Sequence, residues 1–307
     1  MRCEHLREGD LMRVFVTGAS GFIGSAVVRE LLDSGHAVVG LARSNEAAAT
    51  LTAAGAEVHR GAIDDLDSLH DGAANADGTI HLAFDNSFSD YAAAIAADQR
   101  AVATMGAALD GSDKPFVVTS GTLALAFTPG LGTEDDASDP ALPRVASEHA
   151  TIALAQRRVR SSVVRLAPCV HDETKAGLAT SLINIARAKG VSAFIGDGTN
   201  RWPGVHRLDA ARLFRLALEA APAGSRLHGV GDEGVPLRDI AGVIGRGLDL
   251  PVVSITAEEA SEHFGFFSLV VPLDNPTSSA LTQQCLGWRP ANAGLIADLQ
   301  ARRNYDN

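Results

Sequence analysis

Three glycines spaced three residues apart, Gly18, Gly21 and Gly24, lie in the first periodic stretch of this chain, VFVTGASGFIGSAVVREL. The run before them has the β-branched content of a strand, and the run after them has the apolar spacing of a helix. A glycine turn in that context lets the backbone approach a pyrophosphate, which then lies at the positive end of the helix. The stretch therefore predicts a dinucleotide-binding turn.

The chain continues as an alternation of short β-rich runs and helical patterns. Strands are predicted at 13–16, 37–42, 56–61, 77–83, 114–120 and 161–167. Such alternation is typical of right-handed crossovers in a parallel sheet that carries helices on both faces. We therefore predict an α/β fold with a doubly wound Rossmann sheet.

The alternation becomes irregular after Pro168, which predicts a smaller C-terminal lobe. We expect a leader or tail over residues 1–11, a dinucleotide-binding Rossmann domain over 12–168, and the smaller lobe over 169–307. Segments at about 196–221 are expected to return to the Rossmann domain.

Composition limits the classes of partner. The formal net charge of −11 argues against a nucleic-acid or anionic-membrane partner. No apolar run approaches the roughly 18 residues of a membrane span, and the first eleven residues lack the apolar core of a signal peptide. We expect a cytoplasmic protein. The three cysteines do not have the spacing of a metal site, and no metal is predicted.

Several further motifs give the glycine turn a family context. They are TGASGFIG (17–24), LARS (41–44), DGTIHLAF (77–84), VVTSGT (117–122), WPGVHRLDAARLFRLALE (202–219) and LGWRP (286–290). Together they resemble the short-chain dehydrogenase/reductase superfamily, in its extended or atypical branch of epimerase/dehydratase-like proteins. The resemblance covers roughly residues 12–300. It implies that the smaller C-terminal lobe (169–307) is a substrate lobe. It also implies a small-molecule substrate and a homodimer that pairs through helices near 87–109 and 141–158.

The end of the second predicted strand bears on the choice of cofactor. An NAD enzyme usually places Asp or Glu there for the ribose hydroxyls, whereas this chain has Arg43 and Ser44. A guanidinium and a hydroxyl suit a 2′-phosphate, so we predict NADP(H), with NAD(H) as the alternative. The turn and the resemblance together assign cofactor contacts to Gly18, Ser20, Gly21, Phe22, Ile23, Gly24, Arg43, Ser44, Ile63, Asp64, Ala83, Phe84 and Pro168.

The usual catalytic couple of that superfamily, a Tyr with a Lys four residues later, is missing. Neither Tyr91 nor Tyr305 is followed by Lys at that spacing. When Ser147 is aligned with the serine that precedes the family's Lys, Arg144 stands at the Tyr position and Glu148 at the Lys position. Their i, i+4 spacing favours a salt bridge between them.

A hydride can still move without that couple, because the nicotinamide supplies the difficult chemistry and the protein must polarise the acceptor and deliver a proton. Ser120 and Thr122, at the end of the fifth predicted strand, are expected to hold the substrate oxygen. His171 and Asp85 are expected to relay the proton. Structural roles, such as capping a strand end, remain the alternative for each of them.

These observations predict an NADP(H)-dependent oxidoreductase that reduces a small, fairly apolar carbonyl or imine. The aromatic run around Phe266 favours an apolar substrate lobe, or else forms part of a core. The alternative is a non-catalytic NAD(P)-binding redox sensor or regulator. A sugar-nucleotide epimerase or dehydratase is less favoured, because those reactions also depend on the missing couple.

Overall fold

A computed structural model of the protein describes residues 11–85, 90–301 and 305. Its strands are β1 (Arg13–Thr17), β2 (Ala37–Ala42), β3 (Glu57–Arg60), β4 (Gly78–His81), β5 (Pro115–Gly121), β6 (Arg160–Leu166), β7 (Cys169–His171), β8 (Ser192–Ile195), β9 (Arg201–His206), β10 (Ser225–Gly229), β11 (Asp232–Pro236) and β12 (Val252–Ile255). Its α-helices are α1 (Phe22–Asp33), α2 (Asn45–Ala53), α3 (Leu66–Ala74), α4 (Tyr91–Ala108), α5 (Val145–Ala153), α6 (Leu178–Lys189), α7 (Arg207–Ala220), α8 (Leu237–Leu248), α9 (Ala260–Phe264), α10 (Ala280–Leu286) and α11 (Leu295–Leu299).

The central sheet has seven parallel strands in the order β10-β6-β5-β4-β1-β2-β3. The predicted α/β fold with a doubly wound parallel sheet is therefore confirmed. The strand order reverses at β1, since the chain runs outward to β3 and then crosses back to β4 on the other side. Open α/β sheets bind ligands in the crevice beyond the carboxyl ends of the strands at such a point. The glycine turn follows β1 and residues 82–85 follow β4, so both segments border this crevice.

The strands of the central sheet bury both faces. In β1, Val14 and Val16 belong to the apolar cluster that also contains residues of α1 and α7. Phe15, between them, belongs to the cluster that contains residues of α3 and α4. Successive side chains of a strand point to opposite faces, so this division places helices on both sides of the sheet.

Residues beyond β6 build a second core and also contribute to the first. Strands β7, β9 and β11 form a three-stranded sheet, and β8 pairs with β12. An apolar cluster around the buried Trp202 and Ile240 packs beneath them. Helix α7 nevertheless packs against α1, and β10 joins the central sheet beside β6.

Two helices differ from the sequence expectation. Helix α3 was not predicted; it is short, and Asp65 caps it by accepting a hydrogen bond from the backbone N–H of Ser68 at 3.2 Å. The helix expected at 141–158 begins only at Val145, because Pro143 disfavours helical backbone in the residue before it. Its last turn is a 3₁₀ turn over Leu154–Arg157. Most of the predicted leader, residues 1–10, lies outside the described residues.

Candidate functional site

The glycine turn after β1 is too crowded for side chains. A Cβ atom on Gly24 would lie 2.0 Å from the carbonyl oxygen of Gly18, and one on Gly18 would lie 2.7 Å from the backbone nitrogen of Ala83. Gly18 also has a φ of +67°, which L-residues rarely adopt. Gly21 precedes α1 without a side-chain cap, which leaves N–H groups of the first helical turn available to an anion.

A cleft of about 890 Å³ runs from this turn along the carboxyl edge of the sheet. Of the cofactor contacts predicted from the sequence, all but Asp64 line it: Gly18, Ser20, Gly21, Phe22, Ile23, Gly24, Arg43, Ser44, Ile63, Ala83, Phe84 and Pro168. Further lining residues that the sequence did not single out include Leu41, Thr50, Gly61, Val170, Lys175, Gly177, Thr180 and Ser181. The cleft has a size suited to a dinucleotide, and an uncapped glycine turn borders it.

One end of the cleft lies at the start of α2. The hydroxyl oxygen of Ser44 caps this helix by accepting a hydrogen bond from the backbone N–H of Ala47 at 3.1 Å. Arg60 donates to the carbonyl oxygen of Ser44 at 3.0 Å. Arg43 is exposed and has no hydrogen bond or ion pair with another described residue. Its guanidinium is therefore available to an anion, although Glu46 also lines this end.

Two cations lie over the first turn of α1. The Nζ atom of Lys175 lies 5.7 Å from the centre of the Phe22 ring. The guanidinium carbon of Arg207 lies 4.8 Å from the same point. Gly177 permits the close turn near Lys175, since a Cβ there would lie 2.6 Å from the carbonyl oxygen of Pro168. These side chains place positive charge beside the turn that would hold a pyrophosphate. No local sequence pattern indicated Lys175 or Arg207, because the fold alone brings them to Phe22.

The four predicted catalytic side chains do not meet at the cleft. Asp85 lines it. Ser120, which is 8 % exposed, donates its hydroxyl hydrogen to Glu148 at 2.8 Å. Thr122 and His171 are both fully buried. The Thr122 hydroxyl donates to the side-chain oxygen of Asn275 at 2.9 Å.

His171 lies in a separate buried cluster with the carboxylate of Asp298. Its Nδ1 atom is 2.6 Å from that carboxylate, while its Nε2 atom is buried without a hydrogen-bond partner. Burial lowers the pKa of His171, and Asp298 opposes that shift. His171 does not line the cleft, and its ring contacts that of His206.

Glu148 and Arg165 form a buried ion pair. The Nε atom of Arg165 lies 3.1 and 3.2 Å from the two carboxylate oxygens, and both side chains are fully buried. Ser138 and Ser120 also donate to this carboxylate, and Arg226 lies 3.7 Å from it. Burial opposes ionisation, but the hydrogen bonds and the charge of Arg165 outweigh it and hold the pKa of Glu148 below its ordinary value.

The predicted salt bridge between Arg144 and Glu148 is therefore wrong. Glu148 turns toward β6 and pairs with Arg165. Arg144 lies instead on the ring of Phe84, with 3.5 Å from the guanidinium carbon to the ring centre. Burial lowers the pKa of Arg144, against the attraction of Asp98 and Tyr91. Helical spacing allowed the Arg144–Glu148 pair, but the buried cation on β6 is the nearer partner.

Aromatic side chains form a wall that begins at Phe84, which lines the cleft. The ring of Tyr91 lies edge-on to Phe84, with 6.0 Å between centres, and 6.3 Å from Phe266. Phe267 continues the wall at 5.8 Å from Phe266. Phe264, in contrast, is buried in the second core. The wall thus joins the end of β4 to the segment after α9.

A buried polar network lies behind residues 82–83, which line the cleft. The hydroxyl oxygen of Thr17 accepts hydrogen bonds from both backbone N–H groups of this segment, each at 3.2 Å. It lies 2.7 Å from Nδ1 of His81, whose Nε2 is 3.2 Å from Asp98. Ser147 donates to the other oxygen of Asp98 at 2.5 Å. The network fixes the backbone after β4 against the glycine turn.

Among residues 11–85, 90–301 and 305, no group of three His, Cys, Asp or Glu side chains has an arrangement that could hold a metal ion. Within that same part of the chain, no helix combines the length and apolarity that crossing a membrane requires.

Comparison with known proteins relates the chain to a known family. The model of the NAD dependent epimerase/dehydratase family matches residues 14–228. An uncharacterized protein of Schizosaccharomyces pombe is 51 % identical over 94 % of this chain and 98 % of its own length. An uncharacterized protein of Saccharomyces cerevisiae is 44 % identical over 96 % of this chain and 99 % of its own length.

The fold is also similar to that of solved structures. A dTDP-glucose 4,6-dehydratase of Streptomyces venezuelae, crystallised with NAD, superposes with a TM-score of 0.74. The sequence identity is 21 %, and the match covers 96 % of this chain and 97 % of that one. This likeness concerns the fold.

Proposed function

The chain belongs to the NAD dependent epimerase/dehydratase family, and from that premise we propose that it is an NADP(H)-dependent oxidoreductase. Its proposed substrate is a small, largely apolar carbonyl or imine compound. The family relation supports a general NAD(P)-dependent enzyme. The cleft supports the choice of NADP(H), the reaction and the substrate.

The observation that carries the proposal is the layout of the cleft. It joins the uncapped glycine turn to Arg43 at one end and to Phe84 and the aromatic wall at the other. A dinucleotide with its pyrophosphate at Gly21 would place its adenosine half near Arg43 and its nicotinamide near Phe84. The apolar wall then suits the carbon skeleton of a substrate rather than a charged nucleotide.

Arg43 and Ser44 support a 2′-phosphate at the adenosine end. Arg43 has no partner among the described residues, and a guanidinium forms strong charge-assisted hydrogen bonds with phosphate. Ser44 uses its oxygen to cap α2, but its hydroxyl hydrogen can still be donated. The nearby Arg60 is fixed on the backbone of Ser44 and adds positive charge.

Bound NADPH would supply the hydride, and the residues of the chain would hold and orient the reactants. Reduction adds the hydride to the carbonyl carbon and a proton to its oxygen. Asp85 lies at the cleft and remains our candidate for relaying that proton. Ser120 could reach a substrate oxygen only if its hydrogen bond to Glu148 opened. Thr122 and His171 are buried, and each would need a rearrangement to take part.

A redox sensor is the second candidate, and one specific observation favours it. Glu148, where the resemblance places a catalytic Lys, is closed in a buried pair with Arg165. A protein that only reports the state of its cofactor needs no proton donor at that place. A sugar-nucleotide epimerase or dehydratase is less favoured, because the Tyr–Lys couple is missing and the end of the cleft is aromatic.

The test is consumption of NADPH with a panel of ketones, aldehydes and imines, followed through the absorbance band of the reduced nicotinamide. We expect turnover with at least one small apolar compound. Binding of NADPH measured by calorimetry, with no turnover across the panel, would favour the sensor instead.

A further inference from the structure

Arg144 is a half-buried guanidinium that makes no hydrogen bond and no ion pair with any other described residue. The guanidinium stacks on Phe84, with 3.5 Å between the guanidinium carbon and the ring centre. A guanidinium is always charged and carries five N–H donors in a planar fork. Partial burial of such a group is unfavourable unless something accepts its hydrogens. Arg165, by contrast, donates to Glu148, Ser138 and the backbone of Asp136.

The nearby carboxylates do not satisfy Arg144. The two oxygens of Asp98 are bound to His81 and to Ser147. The oxygens of Glu148 are bound to Arg165 and to two serines. Asp98 attracts Arg144 through space without bonding to it. The planar face of the guanidinium is thus held by Phe84, and its N–H edge has no acceptor among residues 11–85, 90–301 and 305.

We propose that Arg144 binds a carboxylate of the substrate, so that the substrate class is a carbonyl compound with an apolar body and an adjacent acid group, such as a 2-oxo acid. This inference rests on the proposed reduction of a carbonyl at the Phe84 end of the cleft. A carboxylate accepts two parallel hydrogen bonds from a guanidinium, which fixes both position and orientation. The wall of Tyr91 and Phe266 would take the apolar body.

Charges around the cleft are compatible with an anionic substrate. Asp85 lines the same end but is exposed, where water and salt weaken its repulsion. Lys175 adds a cation along the cleft. The chain as a whole carries a net charge of −11, so an anionic substrate would need a dedicated cation such as Arg144 to bind.

The test compares benzoylformate with its methyl ester, which differ only in the carboxylate. Wild-type protein with NADPH is compared with R144Q, R144K and the control R157Q, which removes an exposed arginine paired with Asp110. R144Q should raise KM for the acid by roughly 10- to 100-fold, the range for a hydrogen bond to a charged group. KM for the ester should change by less than about threefold. R144K should be intermediate, because lysine keeps the charge but lacks the fork.

The outcomes separate this inference from the proposed function. Equal losses for acid and ester in R144Q, or no loss for either, would overturn carboxylate binding while the reductase assignment stands. If wild type reduces neither compound, carboxylate binding is tested by calorimetric titration of phenylacetate into the protein saturated with NADP⁺. Binding that R144Q abolishes and R157Q retains would then support the carboxylate site, and equal binding in all three proteins would refute it.

Discussion

The carboxylate of Glu148 and the guanidinium of Arg165 face each other with both side chains fully buried, at 3.1 and 3.2 Å from Nε to the two oxygens. This pair ties α5 to β6 at the place where the superfamily resemblance would put a catalytic lysine. It separates Glu148 from Arg144, whose guanidinium stacks instead on the cleft-lining Phe84. Arg144 is therefore left without an ion pair among the described residues.

Breaking the pair should destabilise the fold strongly. Glu148→Gln leaves the Arg165 charge buried without its partner, which typically costs about 3–5 kcal/mol in the free energy of unfolding. The double variant Glu148→Leu/Arg165→Met should lose less free energy of unfolding than Glu148→Leu or Arg165→Met alone, because no charge remains buried without a partner. Urea denaturation followed by circular dichroism measures these differences. A single-variant loss below about 1 kcal/mol would contradict the assignment.

The same pair gives stability a pH dependence of known sign. The folded-state pKa of Glu148 lies below its ordinary value of 4.5, so the unfolded chain takes up this proton first as pH falls. The contribution of Glu148 is complete above the ordinary value and is lost as pH falls through the folded value. Wild type should lose stability in that acid range more steeply than Glu148→Gln.

The glycine turn should tolerate alanine at position 21 better than aspartate. Its backbone has φ of −75°, which any residue can adopt, and a Cβ there would lie 3.2 Å from the carbonyl oxygen of Gly18. Gly21→Asp should fold but fail to bind NADPH, because its charge repels the pyrophosphate. Gly21→Ala is the control for adding a Cβ atom without the charge. Calorimetric titration measures both, and unchanged affinity in a folded Gly21→Asp protein would remove the phosphate-binding assignment.

Arg43→Ala should discriminate between the two dinucleotides. We expect it to weaken NADPH binding by about 1.5–3 kcal/mol, the range for hydrogen bonds to a charged group, and to leave NADH binding little changed. Arg29→Ala removes an exposed arginine on α1 that pairs with Asp33 and serves as the control for net charge. Equal losses for both cofactors would show that Arg43 does not contact the 2′-phosphate.

A homodimer through α4 and α5 is a further prediction. Both helices expose alanines, among them Ala103 and Ala150, which permit close approach of a second copy. Ala150→Arg should convert a two-fold dimer to monomer in light scattering, whereas Ala53→Arg, on exposed α2, should not. Wild type that scatters as a monomer at micromolar concentration would rule out this interface at that concentration.

Local patterns in the sequence predicted much of the fold. The positions of β1, β2, β5 and β6 agree with the structure to within a residue or two, because β-branched runs bounded by turn residues carry that information locally. The glycine turn was recognisable for the same reason. Its crowding against Ala83, after β4, needed the fold to become visible.

The partners of polar side chains were less predictable, because they depend on distant segments. Spacing along α5 suggested Arg144 for Glu148, but Arg165 on β6 is the actual partner. Thr122 bonds to Asn275, a residue more than a hundred positions away. Lys175 comes to Phe22 only through the turn at Gly177. Helical periodicity contains no information about such tertiary contacts.

Transfer of deuterium from NADPH labelled at the reactive C4 position of its nicotinamide tests the proposed reduction most directly. The protein is incubated with the labelled cofactor and the carbonyl panel, and the products are analysed by mass spectrometry. We expect an alcohol or amine with deuterium on the former carbonyl or imine carbon, formed only when the protein is present. Tight NADPH binding with no deuterium in any product would contradict it.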